Sequence, residues 1–184
     1  MTEYRVSFRY ARALLETAIK EGTDELIYND FEKVSFVFDL SDELSSIVAS
    51  PVFPMDKKKE VINALFSDEV KISKLTLDFL ILLIDKRRGG LIESIIAQYE
   101  NQYNVIKKRL PVVVESAVEL SDEIKANILA KLTDYTQHTV LPEYKINEDL
   151  RGGIRLRIDD WVFDASIKNQ LDVLYKKLAE GQAS

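Results

Sequence analysis

The sequence predicts an α+β protein that is mainly α: an N-terminal six-helix bundle over residues 1–109, then a small C-terminal α/β domain over residues 110–184 with a β-hairpin and a terminal helix. Three observations predict it. Apolar residues recur at three- and four-residue steps as far as Arg109, the period of one helix face. At Leu110 that pattern gives way to the valine run of LPVVVESAVEL. Between Ile154 and Ile158 apolar residues alternate with arginines, the two-residue period of a sheet covered on one face.

The first helix is expected from Tyr4 to Glu21, with Phe8, Ala11, Leu14, Leu15, Ala18 and Ile19 as its stripe and Gly22 as its stop. Tyr10 and Ala13 lie beside that stripe, so the helix is apolar over more than half its circumference, and its alanines allow another backbone to come close. A second helix follows over Asp24–Leu40, carrying Leu26, Ile27, Phe31, Val34, Phe36, Val37 and Phe38, and a short third over Glu43–Ala49. The stretch SPVFP at 50–54 is a loop, because proline lacks an amide hydrogen and disfavours helix in the residue before it.

Helix resumes over Met55–Phe66, with Val61, Ile62, Leu65 and Phe66 inward and the triplet Lys57, Lys58 and Lys59 expected on a solvated face. The fifth helix, Ile72–Arg87, contains FLILLI at 79–84, six apolar residues that occupy every side. Such a helix is either wholly buried or keeps a second, exposed apolar face for a partner. After Gly89 and Gly90 a long sixth helix, Leu91–Arg109, carries Ile92, Ile95, Ile96, Tyr99, Tyr103 and Ile106. The short loops between these helices favour antiparallel neighbours.

A strand is expected over residues 110–120 and a helix from the Ser121 cap through Thr139, with Ile124, Ile128, Leu129 and Leu132 on one face. Two more strands are expected in GGIRLRIDDWVFD, with Asp159 and Asp160 as the hairpin turn and Gly152 and Gly153 as a bulge or a place of close approach. A last helix opens at Asp164 to Ser166 and bears Ile167, Leu171, Leu174 and Leu178; the tail EGQAS is expected to be unstructured.

Composition narrows the function. The chain of 184 residues has 46% hydrophobic and 30% charged residues, enough to bury the cores of two modest domains. A net charge of -6 argues against a protein that wraps a polyphosphate, which needs a basic face. The absence of cysteine excludes disulfides, thiolate metal sites and a thiol nucleophile. No apolar run approaches the roughly 20 residues of a membrane span. The amino terminus carries no secretory signal pattern, so the chain is expected to stay in the compartment that makes it.

Chemical motifs are sparse. Neither GxxxxGK nor GxGxxG occurs, and Gly152–Gly153 precedes a strand rather than a helix amino terminus that could hold an anion. His138 is the single histidine and lies near a helix end, where capping or solvent exposure is the plain reading. Glu148, Asp159, Asp160 and Asp164 could serve acid-base or metal chemistry only by converging on one pocket, and no second ligand cluster supports them. The surplus of apolar surface on the first and fifth helices favours a binding module over an enzyme.

The order of segments and several local signatures resemble one family. They are Tyr10, Ala11, Ala13, Leu14 and Ala18; Ser50–Pro51 with a lysine-led helix ending Leu65–Phe66; and Arg88, Leu91, Ile95 and Tyr99. The most specific is Leu150, Gly152, Gly153, Ile154, Asp160, Val162, Asp164, Ser166, Ile167 and Leu171. Over nearly its whole length the chain resembles the delta subunit of F-type ATP synthases, the counterpart of the mitochondrial oligomycin-sensitivity-conferring protein. Asn147, Arg151 and Ala165 depart from the family's usual aspartate, aliphatic and glycine.

The resemblance implies a stator connector in the peripheral stalk, with no catalytic residues, no metal and no cofactor. The amino-terminal bundle would grip the amino-terminal helix of an alpha subunit between its first and fifth helices, through Tyr10, Ala13, Leu14, Thr17, Leu77, Leu80, Ile81 and Ile84. The carboxy-terminal domain would join the b-type peripheral-stalk subunits through Trp161, Phe163, Ile167, Leu171 and Leu174. One copy would serve each complex, on the cytoplasmic side of the bacterial inner membrane. The competing readings are a free-standing helical protein-binding adaptor and an aspartate-based phosphohydrolase using Asp160.

Overall fold

Two helices of the amino-terminal half begin where a serine side chain accepts a first-turn amide, Ser41 and Ser73, and a third begins directly after Pro54. The computed structural model describes residues 2–158 and 160–181, the side chains of residues 2, 67–69 and 179–181 excepted. The fold is α+β and mainly helical, and the chain divides into two compact units, Met1–Asn104 and Val105–Ser184.

In the first unit α1 (Thr2–Glu21) ends at Gly22, whose φ of +69° stops the helix as glycine readily does. Next come α2 (Asp24–Leu40) and α3 (Asp42–Ala49). The Ser41 side chain accepts the Leu44 amide at 3.2 Å to start α3. Helix α4 (Met55–Asn63) starts after Pro54 and runs into a single wide π-type turn over Ala64–Glu69, where a plain α-helix to Phe66 was expected. Helix α5 (Lys74–Asp85) is capped by Ser73 and is shorter than its apolar run suggested. A 3₁₀ turn at Gly89–Leu91 leads into α6 (Ile92–Ile106).

One core holds this unit together. Ala11, Leu15 and Ala18 of α1 pack with Ile27, Phe31 and Val34 of α2, with Leu80 and Leu83 of α5, and with Ile95 and Tyr99 of α6. Each fully buried large side chain contributes roughly 1.5–3 kcal/mol. Phe31 meets Tyr99 edge-on at 5.0 Å, and the Tyr99 hydroxyl donates to the Asp24 carbonyl at 3.0 Å. Burial holds that phenol above its ordinary ionisation range, with the Asp24 charge second.

One expectation fails here. Lys58 does not lie on a solvated face: it is buried, and its ammonium donates to the carbonyls of Val48 at 2.8 Å and Ser50 at 2.5 Å. It thereby neutralises the carboxyl end of α3, where free carbonyls carry partial negative charge. Lys57 pairs with Glu60 at the surface as expected, while Lys59 pairs with Asp85 at the end of α5. Gly89 supports the same joint, since a Cβ there would strike the Val48 carbonyl at 2.6 Å.

The second unit is built on a four-stranded sheet in the order β2-β1-β3-β4. Strand β1 (Arg109–Ser116) is followed by α7 (Asp122–Thr136), then β2 (Thr139–Ile146), β3 (Ile154–Ile158), β4 (Trp161–Asp164) and α8 (Ile167–Gly181). Strand β2 runs parallel to β1, so α7 is the crossover between them. Val112, Val114 and Val140 form a small core against Ile128, Leu129 and Leu132 of α7.

Strand β2 is a correction, because the sequence reading carried the helix to Thr139 and placed no element over residues 140–146. Gln137, in the left-handed conformation with φ +58°, ends α7 earlier. Pro142 discourages a strand reading, yet β2 lies at the sheet edge, where a missing amide is tolerated. Ser121 caps α7 as expected. The hairpin also forms: β3 and β4 pair antiparallel from Ile158↔Trp161 outward, with Asp160 in the turn and Asp159 outside the described residues. Helix α8 continues through Glu180 and Gly181, two residues into the tail expected to be unstructured, and residues 182–184 lie outside the described residues.

Candidate functional site

In the first unit the residues singled out on α1 and α5 divide by burial. Ala13 and Thr17 are exposed and Tyr10 half-buried on α1; Leu77 and Ile81 are half-buried on α5. Leu80, Ile84 and Leu14 are only 0%, 2% and 7% exposed and belong to the core. Leu80 and Ile84 share with Leu83 the stripe that α5 turns inward, and Leu14 lies with Leu15 and Ala18 on the inward stripe of α1, so in the chain by itself these three side chains are core rather than surface. Thr17 donates its hydroxyl to the Ala13 carbonyl at 2.9 Å, which satisfies the polar group within α1. Arg12 and Glu16 pair at 2.8 Å beside them. The hydrogen bond from Arg12 holds the Glu16 carboxyl below its ordinary range.

Helix α5 is tied to α2 by Asp30, a buried carboxylate that sequence reasoning did not single out. Its Oδ2 accepts the Ser73 amide at 2.8 Å and the Thr76 hydroxyl at 2.9 Å. The sequence signal was slight: one acidic residue interrupting the apolar face of α2.

In the second unit the sheet register decides which side chains share a face. Phe163 stands opposite Leu156 and Trp161 opposite Ile158, so all four point to the side that α7 covers. A pocket of about 670 Å³ is lined by Leu132 and Tyr135 of α7 together with Leu156, Ile158, Trp161 and Phe163 of the sheet. Trp161 is 82% exposed. Leu132 and Tyr135 were not predicted as site residues, although Tyr135 continues the helical step of Ile128 and Leu132. On α8, Ile167, Leu171, Leu174 and Leu178 recur at four- and three-residue steps, and all are exposed.

The opposite sheet face carries an ion-pair network beside Val113 and the exposed Val162. Glu115 receives Arg155 and Arg157, each at 3.3 Å, and Arg155 also bonds Asp164 at 2.8 Å. Asp164 opens α8 by accepting the Ser166 amide at 2.9 Å. Its hydrogen bonds from Ser166, joined by the Arg155 charge, hold its carboxyl below the ordinary range against partial burial. Gly152 and Gly153 meet the close-approach expectation: with φ +144° and +74°, they leave no room for a Cβ against Ile167 and against the Ala165 carbonyl respectively.

Of the acidic residues weighed for chemistry, Asp159 lies outside the described residues and Asp160 lies in the hairpin turn. Asp164 is tied to Arg155 and the start of α8, and Glu148 begins a 3₁₀ turn at Glu148–Leu150. Among the described residues no group of three or more His, Asp or Glu side chains could hold a metal ion. His138 follows α7, and its Nδ1 donates to the Thr136 carbonyl at 2.6 Å, a capping contact. Among the described residues no helix is long and apolar enough to cross a membrane.

Comparison with known proteins places this arrangement. The profile of the ATP synthase delta (OSCP) subunit family matches residues 6–178. A Carboxydothermus hydrogenoformans ATP synthase subunit delta is 36% identical over 171 residues, 93% of this chain and 95% of that protein. Those of Salinibacter ruber and Chlorobium phaeobacteroides are 34% and 32% identical, covering 100% and 97% of this chain and 96% and 97% of theirs. In fold, the chain is similar to one in a cryo-EM structure of the Toxoplasma gondii mitochondrial ATP synthase hexamer, with a TM-score of 0.73 at 21% identity over 94% of this chain and 97% of that one. The chain belongs to the ATP synthase delta (OSCP) subunit family, whose members are structural, non-catalytic subunits.

Proposed function

We propose that this protein is the stator connector of an F-type ATP synthase, joining the alpha/beta catalytic head to membrane-anchored b-type chains on the cytoplasmic face of a bacterial membrane, one copy per complex. The carrying observation is that a family match over residues 6–178 coincides with apolar side chains left in solvent on both units. Exposed apolar clusters of this kind mark surfaces that a partner covers. Residues 1–109 act as a six-helix bundle that binds the head, and residues 110–184 bind the stalk.

In the amino-terminal unit Tyr10, Ala13, Thr17, Leu77 and Ile81 touch the amphipathic amino-terminal helix of an alpha subunit, over a floor of Leu14, Leu80 and Ile84. This is helix-in-groove recognition, in which apolar side chains at helical steps supply the contact. In the carboxy-terminal unit Trp161 and Phe163, with Ile167, Leu171 and Leu174 of α8, take the b-type chains. A stator must hold while the rotor turns against the head. Its working quantity is therefore a slow dissociation rate at each end, not a turnover number.

Ala13→Asp tests the first surface. Ala13 is exposed, so the variant folds, but partner binding strands a charge under apolar side chains. A loss of about 3 kcal/mol, roughly hundredfold in affinity, is expected when an alpha amino-terminal peptide is titrated against both proteins. Unchanged affinity removes α1 from the site. Truncation after Ser166 tests the other end: it is expected to abolish b capture and spare the peptide. Retained b capture in a pull-down removes α8.

A further inference from the structure

Asp30 makes a joint that neither core packing nor helix capping requires. Its carboxylate is buried on α2, yet both hydrogen bonds to Oδ2 come from the start of α5. Helix α5 already has a cap of its own, since the Ser73 Oγ accepts the Thr76 amide at 3.3 Å. The bonds to Asp30 therefore fix where α5 begins relative to α2. The Ser73 and Thr76 hydroxyls lie 2.9 Å apart and join the same cluster. Lys33 spans the joint from the solvent side, 3.5 Å from Asp30 Oδ1 and 3.4 Å from the Lys71 carbonyl. Lys71 itself sits at φ +47°, a conformation a lysine holds only when its surroundings impose it.

The first turn of α5 is three residues from Leu77 and less than two turns from Ile81. A carboxylate in low dielectric binds its donors strongly and directionally, whereas an apolar contact would let the helix slide or rotate. Rotation of α5 by one residue would exchange the half-buried Leu77 and Ile81 for Asp78 and Leu82 on the outer face. We propose that Asp30 is a positioning residue for head binding: acting through Ser73 and Thr76, it sets the rotation and axial position of α5, so that Leu77 and Ile81 are presented before the partner helix arrives. This rests on the reading that α1 and α5 receive an alpha amino-terminal helix. Binding to a preset surface avoids the ordering cost that a loose helix would impose.

The test uses the full chain with Asp30→Ala, Asp30→Asn and Thr76→Val. Ile95→Ala on α6 serves as a control that weakens the same core without touching the joint. Two measurements are made at a temperature where every variant is folded: affinity for the alpha amino-terminal peptide, and amide hydrogen exchange at Ser73 to Leu77. Asp30→Ala is expected to lose roughly tenfold in affinity, with faster exchange confined to that turn. Asp30→Asn, which keeps an acceptor oxygen for the Ser73 amide, restores most of the affinity. Thr76→Val, nearly the same shape, loses an intermediate amount and carries the test should Asp30→Ala fail to fold. Ile95→Ala binds as the unmutated chain does.

Equal affinity for Asp30→Ala and the unmutated chain overturns the proposal, as does an equal loss in Ile95→Ala. If the unmutated chain itself ignores the peptide, the head-binding reading falls and takes this inference with it. Peptide binding that is indifferent to both Asp30 and Thr76 overturns this inference alone.

Discussion

Glu100 offers the sharpest quantitative test of the amino-terminal unit. It sits half-buried on α6, and burial first, then the charge of Glu32 on α2, pushes its carboxyl up from an ordinary 4.5 to about 6. A carboxyl whose folded pKa exceeds its unfolded one favours the fold only while protonated. Its contribution is fully present below about pH 4.5 and is lost as pH rises through about 6. Above pH 7 the folded chain holds a carboxylate at a poor site, and a displacement of about 1.5 units at 1.36 kcal/mol per unit gives about 2 kcal/mol. Partial solvent access screens some of this, leaving roughly 1–2 kcal/mol. Glu100→Gln removes the charge at nearly constant volume.

The expected result is a variant more stable than the parent at pH 7.5, by an increment that shrinks through pH 6 and vanishes near pH 4. For a unit of about 100 residues it corresponds to a rise in Tm of roughly 5–10 °C at neutral pH. Helical circular dichroism reads it, because the second unit, which holds the only tryptophan, is common to both proteins. Glu32→Gln is expected to give a smaller gain, since Glu32 is the lesser cause. No gain at pH 7.5, or an equal gain at pH 4, would refute the reasoning.

Lys58→Met is expected to lower the stability of the amino-terminal unit by about 2–3 kcal/mol in thermal unfolding, because the Val48 and Ser50 carbonyls lose a charged donor in a dry joint. Gly153→Ala is expected to disturb only the second unit: at φ +74° its Cβ runs into the Ala165 carbonyl, and Trp161 fluorescence should change while the helical melt of the first unit does not. In Asn147→Asp, the side chain that donates to Glu115 at 2.9 Å becomes a second carboxylate facing the first, so urea titration is expected to show a loss of about 1 kcal/mol at pH 7, which Asn147→Gln is expected not to reproduce in full.

The helices were legible because each carries apolar residues at helical steps, buried in the amino-terminal unit as Ala11, Leu14, Leu15 and Ala18 are on α1. Strand β2 was not, since only Val140 of its eight residues is buried and its pairing depends on β1, distant in sequence. Lys58 was misread for a related reason: a lysine triplet looks solvated unless one knows that the end of α3 folds over it. Periodicity located the α8 stripe, where nothing in the unit competes for the apolar face. It could not sort the contacts of α5, because FLILLI is apolar on every side and only packing decides that Leu80 and Ile84 face in while Ile81 stays partly open. Asp30 was invisible because its partners, Ser73 and Thr76, lie more than forty residues away.

The carboxy-terminal sheet carries its own directional signal. Had its exposed aromatic residues been incidental, they would be scattered over both faces. Instead Trp161 and Phe163 share one face with Leu156 and Ile158, while the other face carries the ion pairs of Glu115, Arg155, Arg157 and Asp164. Burying that second face against an apolar partner would strip hydration from four charged groups already satisfied by one another, a penalty that new contacts would have to exceed. On the proposed reading this penalty favours the aromatic face over the charged one as the side that meets the stalk. Because Arg155 also bonds Asp164 at the start of α8, the network on the charged face fixes the root of the helix bearing Ile167, Leu171 and Leu174.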